Sequence, residues 1–131
     1  MALNVNDFEH AVMEKLLYGE DPVLEILRGQ FTVCNVSNRE YTGVGFFTTF
    51  SLPPDCPRVP GNKTFSFGDV LGAVEGLVDG AGFVLHVKDG LLHYLEGYTY
   101  DEKWPKEIHS FTLAYQNGPK RNLSALRANW S

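Results

Sequence analysis

Only two of the 131 residues are cysteine, Cys34 and Cys56, and they fall in no CxxC or zinc-type spacing. A disulfide framework and a zinc module are therefore excluded. No run approaches the roughly 18 apolar residues that a membrane span needs. Basic charge is also scarce: 11 Lys and Arg stand against 16 Asp and Glu, for a formal net charge of −5. Binding to nucleic acid or to an anionic membrane relies on the opposite balance. There are no internal repeats or low-complexity tracts, and no GxSxG, HExxH or phosphate-cradling glycine loop. Residues 1–7 lack the basic and apolar stretches of a signal peptide, so a cytoplasmic location is expected.

What is present is enough for a core. The chain is 44% hydrophobic and 13% aromatic, which argues against disorder and for one domain spanning residues 1–131. The charge is uneven. Residues 1–29 carry six acids and two bases, while residues 101–131 carry five bases and three acids.

The period of the apolar residues divides the chain into a helical part (1–29), a sheet part (30–116) and a tail (117–131). Asn6 and Glu9 form a capping box ahead of Phe8, Val12 and Leu16, with Glu9, Glu14 and Lys15 expected in water. Asp21 and Pro22 open a second helix that Gly29 should close. From Gln30 the pattern shortens to two, through Phe31 and Val33, and a turn is expected at 35–38. One long strand is expected over 40–52, a proline-rich loop over 53–64, and a short strand near 70–75. Asp89-Gly90 is a two-residue type I′ hairpin turn. A regular register from it sets His86 opposite His93 and Leu85 opposite Tyr94, and places Tyr94 and Glu96 on the core side. A last strand is expected over 109–115 and a short helix within 122–129. The whole reads as α+β: two N-terminal helices packed on an antiparallel, curved sheet of about five strands.

Four constellations could carry chemistry or binding. His86 and His93, placed cross-strand, could share a metal, although no third ligand is in view. Glu96, on the core side, would need a partner such as Arg39 or the hydroxyls of Tyr98 and Tyr100, and could then act as a general acid or base. A hydrolytic version would need a second carboxylate, from Glu75 or Glu40. Cys34 or Cys56 with His86, His93 or His109 could form a thiol–imidazole pair, but no signature surrounds either cysteine. Finally, acidic helix 1 and the loop carrying Tyr98, Tyr100, Asp101, Glu102 and Trp104 suit a protein-binding surface for a basic partner.

Thr42-Gly43-Val44-Gly45-Phe46-Phe47, Gly80-Ala81-Gly82-Phe83-Val84-Leu85 and Leu95-Glu96-Gly97-Tyr98-Thr99-Tyr100-Asp101-Glu102 with Trp104-Pro105 give the chain a resemblance. Over residues 39–105 it resembles a group of small uncharacterised bacterial proteins. The resemblance implies a small bacterial cytoplasmic domain and brings no catalytic residue with it. The functional expectation is a non-enzymatic interaction module, an immunity-type inhibitor of a basic protein, with no cofactor. The alternative is a small hydrolase or ligand-binding domain centred on Glu96 with Arg39 and Tyr98.

Overall fold

The computed structural model describes residues 5–131. Helix α1 (Asp7–Leu16) starts on the capping box: Asn6 Oδ1 accepts from the Glu9 N–H at 2.8 Å, and Glu9 Oε1 accepts from the Asn6 N–H at 2.9 Å. Helix α2 (Pro22–Val33) starts on Asp21, whose carboxylate accepts from the Val23 and Leu24 N–H groups. Gly29 does not end α2. The stripe Leu24, Leu27, Phe31 continues at helical spacing through it. Gln30 then anchors the last turn, its amide donating to the Pro57 and Gly90 carbonyls and accepting from the Leu92 N–H. Three tertiary hydrogen bonds and a buried face outweigh the roughly 1 kcal/mol that an internal glycine costs. Phe31 and Val33 are thus helical, and Cys34 is the C-cap.

Six strands follow: β1 (Asn35–Tyr41), β2 (Gly45–Ser51), β3 (Phe65–Val74), β4 (Ala81–Lys88), β5 (Leu91–Thr99) and β6 (Phe111–Tyr115). They form one curved, open antiparallel sheet in the order β1-β2-β5-β4-β3-β6. The class is α+β, as expected, with six strands where about five were expected. The strands differ from expectation at 30–51: Phe31 and Val33 are helical, the expected turn at 35–38 is strand, and the expected long strand is a hairpin. Gly43, at φ +93, supplies the reversal. The glycines of β3 do not break it either. A Cβ on Gly68 would stand 2.5 Å from the Phe83 carbonyl oxygen, so glycine here admits the neighbouring strand.

The register of β4 and β5 decides the position of every later side chain. Asp89 (φ +53) and Gly90 (φ +79) make the expected turn, and Lys88–Leu91 and Val87–Leu92 pair as expected. His86 then pairs with Tyr94, not His93, and Leu85 pairs with Leu95. His93 is the extra residue of a β-bulge. One inserted residue moves all that follows to the opposite face. Leu95 is therefore fully buried, while Tyr94 and Glu96 stand half-exposed on the outer face. Deleting His93 should leave this downstream register intact, because Leu92, Tyr94 and Leu95 then alternate without interruption. We expect the deletion variant to fold at a cost of roughly 1–2 kcal/mol, with native near-UV circular dichroism. Loss of the fold would show that the bulge itself is required.

The inner face packs Phe46, Phe50, Phe83, Leu85 and Leu95 against Val12, Met13, Leu16, Leu24 and Leu27 of the helices. The tail closes one side. Helix α3 (Leu123–Arg127) is capped by Asn122, and the Trp130 ring packs 5.4 Å from both Phe65 and Phe67. Arg121 bonds Asp69 through two nitrogens and donates to the Tyr18 carbonyl; Arg127 bonds Asp21. The charge imbalance between the two ends of the chain is thus partly consumed inside the fold. No helix is long and apolar enough to cross a membrane among the described residues.

Candidate functional site

Two regions hold the residues singled out from the sequence. The first is the outer face of the sheet. His86 stacks on Tyr94, with ring centroids 4.1 Å apart and planes inclined at 22°. Its Nε2 lies 3.1 Å from Glu96 Oε1, and its Nδ1 lies 2.7 Å from Ser66 Oγ. Ser66 is directly opposite His86 in the β3–β4 register, and Glu96 is the diagonal neighbour on β5.

This arrangement corrects two expectations. His86 does not face His93; the bulge displaces His93 to the edge of the Tyr94 ring. Among the described residues, no three His, Cys, Asp or Glu gather as a metal site. Nor does Arg39 meet Glu96. Arg39 lies opposite Thr48 on the inner face, where its Nε and Nη2 bond the two oxygens of Glu9 at 2.8 and 2.7 Å. Thr48 Oγ1 donates to the same carboxylate at 2.6 Å. Glu9, expected in water, is 2% exposed. The signal for this was in the sequence: Glu9 shares the i, i+3, i+4, i+7 spacing of Val12, Met13 and Leu16.

The other catalytic candidates do not assemble. Glu40 lies on the outer face two strands from Glu96, with Phe47 between them, and Glu75 lies beyond the end of β3. Burial pushes the Cys34 thiol up to about 11, and its Sγ donates to the Phe31 carbonyl. Cys56 sits in the proline loop, and His109 pairs with Glu107 in solvent. A concavity of about 350 Å³ opens between Phe8, Glu9, Tyr41, Phe46 and Trp104. Glu96 does not line it.

The second region is one end of the sheet. The Thr99 N–H and hydroxyl both donate to the Val44 carbonyl at 3.0 Å, and the Trp104 N–H donates to the Gly43 carbonyl at 2.7 Å. Glu102 accepts from the Val78 and Asp79 N–H groups, each at 2.8 Å, and these bonds hold its carboxyl below the usual range. The β1–β2 turn, the β3–β4 turn and residues 99–104 are thereby tied into one surface. Val78 is 89% exposed on it, with Val44 and Tyr100 each about half exposed. Tyr98 covers Gly82, where a Cβ would come within 2.3 Å of its ring. Burial, then Tyr100 and Glu96, push the Tyr98 phenol up.

Of the five expected binding residues, Tyr100 and Asp101 therefore point outward and Tyr98 is half-covered. Glu102 is a brace between turns. Trp104 is buried, with its ring 5.0 Å from Phe46 and 6.1 Å from Phe8. Val44 and Val78 were missed. Their signal is an apolar residue in a glycine turn, where nothing remains to pack on it. Comparison with protein-family models, with curated proteins and with solved structures gives no match.

Proposed function

We propose that this protein is an interaction module, an immunity-type inhibitor in kind, that docks a basic protein partner on the end of its sheet. The observation that carries this reading is the exposed apolar group Val78, Val44 and Tyr100, with Asp79 and Asp101 exposed beside it. Solitary exposed apolar residues are ordinary, but three on tips braced together by Thr99, Glu102 and Trp104 form a pre-organised patch. Tyrosine anchors supply affinity, and the acids around them speed association with a positive surface.

Charge bookkeeping favours this end over helix α1. In α1, Glu9 is buried against Arg39 and Glu14 lies 3.3 Å from His10, leaving Asp7, whereas both Asp79 and Asp101 are exposed and neither forms a salt bridge among the described residues. The alternative site built from Glu96 with Arg39 loses support because the two side chains lie on opposite faces of the sheet.

A photo-crosslinking amino acid at position 78, in cells that natively make the protein, tests the reading. The expected product is one dominant adduct to a protein of net positive charge. The same label at Val33, exposed at the C-terminal end of helix α2, should not give it. Equal capture from both positions, or an acidic partner, would overturn the proposal.

A further inference from the structure

The geometry points to a second function on the outer face: Ser66 is an activated nucleophile, with His86 as its base and Glu96 as the group that orients the base. It would accept the acyl group of small esters. The inference is independent of the docking end, since His86 lies four residues, about 13 Å, along β4 from Gly82.

With His86 neutral, the hydrogen-bond chain runs in one direction. A carboxylate only accepts, so Glu96 Oε1 takes its bond from the His86 Nε2–H. In neutral imidazole the other nitrogen, Nδ1, then carries the lone pair, and the Ser66 hydroxyl donates to it across 2.7 Å. This is the order that nucleophilic catalysis requires: nucleophile to base, base to orienting group. The Tyr94 ring, stacked on the imidazole, limits its rotation. Ser66 is exposed, so an ester carbonyl can reach it without any lid moving. Half-exposed Val84, the diagonal neighbour of Ser66 on β4, offers an apolar contact for a short acyl chain. Lys88, exposed on the same face one pleat along β4, is a cation available to the developing oxyanion.

In the acylation step Ser66 Oγ bonds to the ester carbon while its proton passes to His86 Nδ1. The alkoxide leaves and takes that proton. Water then attacks the acyl-serine, giving a proton to His86, which returns it to Ser66 Oγ as the acid departs. Glu96 touches no reacting atom and is a positioning residue.

The test treats the full chain with a fluorophosphonate probe and, separately, with p-nitrophenyl acetate. The expected result is one phosphonyl adduct per chain, located on Ser66 by peptide mass spectrometry. Acetate release should fall at least 100-fold in Ser66→Ala and His86→Gln, and about tenfold in Glu96→Gln. Glu96→Asp should recover most of that last loss, which a purely structural effect would not do. Absence of an adduct on Ser66 in the unaltered protein overturns the inference whether or not any variant folds. So does a Ser66→Ala rate equal to that of the unaltered protein.

Discussion

Replacing Arg39 with alanine is expected to lower the unfolding free energy by about 3–5 kcal/mol, the range for stripping one partner from a buried ion pair. Glu9 is 2% exposed, and its oxygens are held by the Arg39 guanidinium, the Thr48 hydroxyl and the Asn6 N–H. Burial alone would raise its carboxyl pKa. The hydrogen bonds from Arg39, Thr48 and Asn6, with the charge of Arg39, outweigh burial and leave it lowered. A carboxyl lowered by folding stabilises the protein above its unfolded pKa and loses that contribution as pH falls through the folded value. The gap between the unaltered protein and Arg39→Ala should therefore be widest at neutral pH and shrink in acid. Urea unfolding at pH 7 and about pH 3 checks both statements. A double variant, Glu9→Leu with Arg39→Leu, should cost less than Arg39→Ala, since no charge is then left buried. A pH-independent gap would contradict the account of Glu9.

Arg121→Ala should cost roughly 2–4 kcal/mol, because one side chain does three things at once. Its side chain is 3% exposed, bonds both oxygens of Asp69 at 2.9 and 2.8 Å, and donates to the Tyr18 carbonyl at 2.7 Å. Its guanidinium also lies 5.0 Å from the Tyr115 ring centroid and 5.8 Å from that of Phe67. The partial exposure of Asp69 keeps the expected cost below that of Arg39→Ala. Arg121→Lys should restore little, because an ammonium cannot make the two-pronged bond to Asp69. Hydrogen exchange gives the clearest readout. Residues 117–131 should lose protection in Arg121→Ala while β4 and β5 keep theirs. Lys120→Ala, next in sequence but exposed, should fall within about 0.5 kcal/mol of the unaltered protein.

What was legible in the sequence was local. Asn6, Glu9, Asp21 and Pro22 mark helix starts by bonds that span three residues, and Asp89-Gly90 marks a turn that two residues define. What was illegible depended on partners far along the chain. Gly29 stays helical because Gln30 reaches Gly90 and Leu92, some 60 residues away. Glu9 is internal because Arg39 and Thr48 meet it across the core. The bulge at His93 has no local signature, yet it carries Glu96 from the inner face to the outer. That single residue separates the expected Glu96–Arg39 site from the Ser66–His86–Glu96 chain that forms. Within the docking end, Tyr100 and Asp101 follow from a polar aromatic loop. The roles of Trp104 and Glu102 do not, because one fills the core beside Phe46 and the other serves a turn more than 20 residues earlier.

The docking surface is tested most directly by the kinetics of the partner captured from position 78, measured against ionic strength. The association rate constant should fall steeply with added salt. It should be at least tenfold lower in the double variant Asp79→Asn, Asp101→Asn, where asparagine keeps the positive φ of residue 101. Tyr100→Ala should act chiefly on the dissociation rate. An association rate that ignores salt and is unchanged in the double variant would contradict the proposal that these acids meet a basic partner.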